Sequence, residues 1–239
     1  MRVNLPNLYY ALAHPIRTLR YLRHRDTIAY SDIGRFIPAD PVILEAGAHD
    51  GTNTVEMAEF WPRATIHTFE PVPSAAAAVV ERISRYGTRV QCHAVGLGPR
   101  DGEIEMHVSG DGTFGSCQSS SMLPPTATQL REFPDIAFGI KQMVPMQTLN
   151  SWAKTTNVPQ VDFMWLDMQG YELQALEGAA DVLKTVSAIH MEVSNVRLYE
   201  GAPPYSEVRA RMADWGFVPT IEAFFRVSGN VLFVRRRAN

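Results

Sequence analysis

Residues 42–54 read VILEAGAHDGTNT: an apolar run, Val42–Glu45, breaks into the glycine turn Ala46–Gly51 and then into a helical pattern that reaches about Phe60. A buried strand that passes through a glycine turn into a helix opens a strand–helix–strand unit. The pattern repeats outward from there. Ala64–Phe69 predicts a second strand, and Ser74, after Pro73, predicts the cap of a helix carrying Ala76, Val79, Val80 and Ile83 that stops at Gly87. Arg89–Val95 is a third strand. Val161–Leu166 is a fourth, apolar apart from Asp162, as in strands buried on both faces, and Leu173, Leu176, Ala180 and Leu183 give the helix after it. Ala188–Val193 is a fifth strand, and Ser206 caps a helix with Val208, Met212 and Trp215 that stops at Gly216. Two closing strands, Phe217–Ile221 and Val231–Val234, flank a turn at Ser228–Asn230. Such alternation predicts an α/β fold: a doubly wound, mostly parallel sheet with helices on both faces.

The 239 residues suffice for one domain with some decoration, and a chain of this size buries about 70–75% of its unfolded surface without a disulfide or metal staple. Its two cysteines, Cys92 and Cys117, form no C-x-x-C pair, which suits a reducing compartment and speaks against a zinc centre. A net charge of −3 offers no basic field for nucleic acid phosphates. No apolar run reaches the ~20 residues of a membrane helix. Asn4, Pro6 and Asn7 interrupt any leader-like core, so a cytoplasmic protein is expected.

Two stretches depart from the alternation. Residues 1–40 form a basic amphipathic extension, with Leu12, Ile16, Leu19 and Leu22 near helical spacing and Arg2, Arg17, Arg20, Arg23 and Arg25 set against Asp26. Such a helix, over about residues 8–25, can pack on the main domain (41–239), touch an acidic membrane surface or join a second copy. Between the third and fourth strands, Gly98–Pro159 is too long for a plain crossover. Glu103–Val108 reads as an extra strand and Thr126–Phe133 as a helix. The insert at about 109–145, with Gly110, Gly112, Gly115, Ser116 and Ser119–Ser121, is expected to be a lid over the acceptor.

In an open parallel sheet, ligands bind beyond the carboxyl ends of the strands, where strand order reverses. Acids stand at four such ends: Glu45 and Asp50 around the first turn, Glu70 after the second strand, Asp167 after the fourth and Glu192 in the fifth. The turn has Gly47 and Gly51 but not the full dinucleotide spacing, and its carboxylates repel a pyrophosphate. They suit a cationic ligand without phosphate, and S-adenosylmethionine, with an ammonium and a sulfonium beside adenosine, meets that description. Glu70 lies nineteen positions past Gly51, where an acid accepts both ribose hydroxyls.

Six segments carry a family resemblance: VILEAGAHDGTNT (42–54), HTFEPVPS (67–74), HAVGLGPRDGEIEMHVS (93–109), MQTLNSWA (146–153), VDFMWLDMQGYELQALEGA (161–179) and, more weakly, IHMEVSNVRLYEG (189–201). Over about residues 40–235 the chain resembles the FkbM-type family of S-adenosylmethionine-dependent methyltransferases. The resemblance implies a Rossmann-like class I methyltransferase sheet with a C-terminal antiparallel strand. It also implies that Glu45, Gly47, Ala48, His49, Asp50, Gly51 and Glu70 hold the cofactor and that Ala94 and Val95 border its adenine. Asn53, Pro71, Asp167 and Met168 complete the expected cofactor set. Members generally O-methylate small molecules or sugars. Position 169 is Gln, where the D-x-E-G form of the family has glutamate.

Methyl transfer from a positive sulfur needs in-line alignment and, for an alcohol, a base or a metal. Asp167 is expected beside the methyl group. His190 and Glu192, two apart on a strand, share a face, and His190 is the natural proton acceptor at neutral pH unless it is a core histidine. Asp167 with Glu192 is alternatively a site for a divalent cation that acidifies a sugar diol.

The remaining features read as structural. Trp61, Trp152, Trp165 and Trp215 read as packing residues, the other histidines show no metal-ligand spacing, and Arg235–Arg237 reads as a solvated tail. Two other classes share the sheet. A nicotinamide oxidoreductase is disfavoured by the acidic turn. A nucleic acid methyltransferase is disfavoured by the charge and by the place of Ala202-Pro-Pro-Tyr205, which follows the fifth strand rather than the fourth.

Overall fold

The computed structural model describes residues 28–110 and 117–236. In chain order the first elements are α1 (Tyr30–Ile33), β1 (Val42–Ala46), α2 (Thr52–Phe60), β2 (Thr65–Phe69), α3 (Pro73–Ile83), β3 (Val90–His93), β4 (Gly96–Leu97) and β5 (Gly102–Ser109). They are followed by α4 (Ala127–Glu132), β6 (Phe138–Gln147), α5 (Leu149–Thr156), β7 (Phe163–Leu166), α6 (Glu172–Glu177), β8 (Ala188–Ser194), α7 (Tyr205–Asp214), β9 (Phe217–Phe225) and β10 (Ser228–Arg235).

Seven strands form one sheet in the order β3-β2-β1-β7-β8-β10-β9. Neighbours from β3 to β8 run parallel, while β10 runs antiparallel to both β8 and β9. The expected class I sheet with its antiparallel closure is therefore present. Strand order reverses between β1 and β7, which places the ligand crevice over their carboxyl ends.

Period-two alternation divides the core. Leu44, Ala46, Met164 and Leu166 face one layer with Trp152 of α5, Leu176 of α6 and Met212 of α7. Ile43 and Phe163 face the other, with Ile33 of α1, Met57 of α2 and Val79 of α3. Ile28 joins this second layer, so residues from 28 onward, expected in the extension, pack into the domain. The amphipathic pattern over residues 8–25 lies outside the described residues. Among the described residues, no helix is long and apolar enough to cross a membrane.

Several local expectations are corrected. The 109–145 insert is not simply a lid: its end is β6, the centre of a second sheet ordered β4-β6-β5, antiparallel to the expected β5. The helix after β7 does not run through to Leu183. It ends at Glu177 with Gly178 as its cap, where a β-carbon would stand 2.2 Å from the carbonyl oxygen of Gly98, and a short 3-10 turn, Val182–Lys184, follows. Neither Ser74 nor Ser206 caps a helix. Pro73 already occupies the first turn of α3, and Pro204 precedes α7. Val80, expected on the apolar stripe of α3, is exposed. The final hairpin turns at Arg226, whose φ is 58°, rather than at Ser228–Asn230. Gly229 lies within β10, where a side chain would meet the Ala223 carbonyl at 2.5 Å. Arg235 is no solvated tail. Its Nε donates to the Val186 carbonyl at 2.7 Å and its guanidinium lies over the Phe217 ring.

Candidate active site

The turn after β1 is built by close backbone approach. Gly47 has φ of 85°, and its amide and that of Ala48 both donate to the Phe69 carbonyl, at 3.0 and 3.2 Å. Only glycine adopts such a φ without strain. His49, at φ 48°, donates its amide to Glu70 Oε2 at 2.8 Å, and the Val72 amide donates to Glu70 Oε1 at 2.8 Å. Glu70 therefore braces the turn, and each oxygen keeps a lone pair for another donor.

Glu45 is fully buried in β1 and accepts from the Thr54 and Thr68 hydroxyls, both on Oε2. Its Oε1 is buried with no hydrogen-bond partner among the described residues. Asp50, expected with Glu45 to flank the ligand, is engaged elsewhere. It accepts from the Thr52 amide and hydroxyl and pairs with Arg82 at 3.0 Å. Gly51, at φ 72°, leads into α2, and Asn53 sits half-buried in its first turn. Pro71 is buried; Ala94 is exposed and Val95 half-buried just past β3, beside His93, whose ring stacks on Phe69 at 4.8 Å.

Across the crevice, the β7–β8 register pairs Leu166 with Met191 and so sets Asp167 level with Glu192. Gln169 joins them. Its Nε2 lies 2.8 Å from Asp167 Oδ1 and 2.7 Å from Glu192 Oε2. An amide nitrogen carries two hydrogens and carboxylates accept, so one donor serves both acids. The Tyr199 hydroxyl reaches Gln169 Oε1 at 3.0 Å, and the Ser121 hydroxyl donates to the Gln169 carbonyl at 2.9 Å. Glu172 closes the same turn from below, accepting from the amides of Met168 at 2.8 Å and Gly170 at 3.3 Å. The place between the two acids that a divalent cation would take is thus bridged by the Gln169 amide. Among the described residues, no group of three or more His, Cys, Asp or Glu is arranged to hold a metal ion.

His190 lies one register pair deeper, beside Trp165, with the two rings stacked at 3.6 Å and 13°. It is 2% exposed, and burial pulls its pKa down to about 3. A ring held neutral in the core does not suit proton uptake from an external hydroxyl. The expectation of His190 as base gives way here to the core histidine.

Burial pushes the carboxyls of Glu45, Glu70 and Glu172 each up to about 7, in every case against hydrogen bonds that lower them. Glu192 rises well above the usual carboxylate range, through burial first and then the charge of Asp167. Among the described residues, none of these acids, nor Asp167, forms an ion pair. Desolvated carboxyls without countercharge favour a cationic ligand.

A family model of the methyltransferase FkbM domain matches residues 45–219. The chain belongs to the FkbM methyltransferase family. It is thereby one of the S-adenosylmethionine-dependent methyltransferases. Over 166 residues it is 31% identical to the 2-O-methyltransferase NoeI of Sinorhizobium fredii (strain NBRC 101917 / NGR234), covering 69% of this chain and 68% of NoeI. Methyltransferase 1 of Beauveria bassiana (strain ARSEF 2860) is 24% identical over 161 residues, 63% of this chain and 62% of its own length. The crystal structure of methyltransferase FkbM from Methylobacillus flagellatus KT shares the fold, with a TM-score of 0.53 at 12% identity over 82% of this chain and 44% of that one.

The residues present fit the family's cofactor. Buried Glu45 retains an unpartnered oxygen, Glu70 retains acceptor capacity beside the turn, and the uncompensated acids match a sulfonium and an ammonium. Glu172 and Tyr199 escaped sequence reading for different reasons. An acid in the first turn of α6 is a visible helix-start signal. Tyr199 has no local signal, because its partner Gln169 is thirty residues away.

Proposed function

We propose that this FkbM methyltransferase O-methylates a hydroxyl of a carbohydrate or a small natural product. The Asp167–Gln169–Glu192 constellation carries the reading, since it sets two carboxyls around one amide nitrogen at the strand-order reversal. S-adenosylmethionine, when bound, supplies a methyl group already activated by positive sulfur. The chain has to add alignment and a place for the acceptor's proton.

An acid raised by burial and a like-charged neighbour is a stronger proton acceptor than a free carboxylate. Glu192, raised by burial and by the neighbouring charge of Asp167, is suited to take the proton of an acceptor O–H, and the Gln169 amide holds both side chains in place. Glu70 and the 46–51 turn would hold the ribose, with Ala94 and Val95 at the adenine side. Glu45 and the acid pair would balance the positive charges. That the NoeI relative is a 2-O-methyltransferase supports oxygen as the atom methylated.

Transfer of a labelled methyl group to a panel of methyl glycosides and hydroxylated natural products tests the proposal. The expected result is an ether-linked label, lost in Asp167→Asn while S-adenosylhomocysteine still binds. Label found only on RNA, in a parallel incubation with unmodified tRNA, overturns it.

A further inference from the structure

The Tyr199 ring is 2% exposed and packs edge-on to Phe138 of β6, with centroids 6.2 Å apart. Its single hydroxyl hydrogen has two acceptors in reach, the Ser119 carbonyl at 2.9 Å and Gln169 Oε1 at 3.0 Å. Gln169 is itself a non-glycine residue at φ 54°, a strained conformation that persists where its surroundings enforce it. What enforces it comes from the insert. The Ser121 hydroxyl holds the Gln169 carbonyl, and the chain around Ser119 and Ser121 is tied to β5 through the Ser119 amide on Ser109 Oγ and the Ser121–His107 backbone pair.

A side-chain amide can be turned end for end at little steric cost. In one orientation its NH2 faces Asp167 and Glu192. In the other its oxygen would face two carboxyls and repel them. The two carboxyls call for the NH2 end, and the Tyr199 hydroxyl, when its hydrogen is given to Oε1, holds the same orientation from the opposite side. Resting on the O-methyltransferase reading, we propose that Tyr199 is a positioning residue: its hydroxyl locks the Gln169 amide so that both hydrogens go to Asp167 and Glu192, and it thereby couples the insert at Ser119 to the acid pair.

Two measurements test this. In nitrogen-15 spectra of the full chain, the Gln169 side-chain NH2 pair is identified by its disappearance in Gln169→Met. Tyr199→Phe should displace that pair and speed its hydrogen exchange about tenfold, the loss expected for one net hydrogen bond. In the transfer assay with methyl glycosides, Tyr199→Phe should lower kcat about tenfold and leave KM for S-adenosylmethionine within twofold. In the Gln169→Met background the same change should cost nothing further, because the hydroxyl acts through the amide.

An unmoved Gln169 NH2 pair, or an equal loss of kcat in both backgrounds, overturns the proposal. If Tyr199→Phe does not fold, the wild-type spectra decide: a Gln169 NH2 pair that exchanges as fast as an exposed glutamine side chain overturns the proposal. A wild type that binds cofactor yet transfers to no hydroxyl overturns the function reading, while the spectra still decide whether Tyr199 orients Gln169.

Discussion

A β-carbon on Gly47 would stand 1.8 Å from the carbonyl oxygen of Asp167. The turn after β1 and the end of β7 are thus in backbone contact, and the Asp167 amide returns the contact one step earlier by donating to the Ala46 carbonyl at 3.0 Å. No side chain fits between them, and the φ of 85° disfavours one independently. Gly47→Ala is expected to destabilise the fold by about 3–5 kcal/mol, in the range of severe backbone substitutions. Urea unfolding measures this, and a loss under 1 kcal/mol would show that the two strand ends can separate freely.

Glu70 braces the turn through two backbone amides and keeps a lone pair on each oxygen for a further donor. Calorimetry should show micromolar binding of S-adenosylhomocysteine (about −8 kcal/mol) to wild type and none of NADH. Glu70→Ala removes an acceptor and strands both amides, so binding should weaken at least tenfold. Retention of full affinity would remove Glu70 from the cofactor site.

The acid edge makes cofactor affinity depend on pH with a definite sign. Glu45, Glu70 and Glu172 titrate at about 7 because they are buried. Below that value they are mostly neutral, and above it they are ionised and attract a cation. S-adenosylmethionine carries the sulfonium charge that S-adenosylhomocysteine lacks. Its affinity relative to the product should therefore rise between pH 6 and 7.5, by at most about tenfold per unit for each proton released. A flat or falling ratio contradicts the electrostatic assignment.

His190 under Trp165 predicts stability rather than chemistry. His190→Ala removes a buried ring and should cost about 2–4 kcal/mol, while kcat per folded enzyme stays within threefold. A hundredfold fall in kcat with unchanged unfolding would return the histidine to the role of base.

Much of this fold was legible locally. The strand at Val42, the glycine turn and the apolar run at Val161 are set by burial on both sheet faces and by the need for positive φ. These are properties of neighbouring residues. β6 was not read from the sequence: only Val144 and Met146 of residues 138–147 are buried, and Gln142 and Pro145 blur the alternation of the buried face. The strand exists through its pairing with β5, far back in the chain. The close approach of Gly178, the cap of α6, to Gly98, eighty residues earlier, was equally invisible locally.

For the site, the sequence by itself determined which acids stand at the strand ends, because strand termini and glycine turns are local events and ligands collect at them. It placed Glu45, Glu70, Asp167 and Glu192 at one edge. Tertiary structure alone decided what each does there. Asp50 is drawn to Arg82, His190 is buried on Trp165, and Gln169 becomes the bridge between two acids under the hydroxyl of Tyr199. Burial and hydrogen-bond geometry fix a polar group's charge and role, and both are set by residues distant in sequence that only folding brings together.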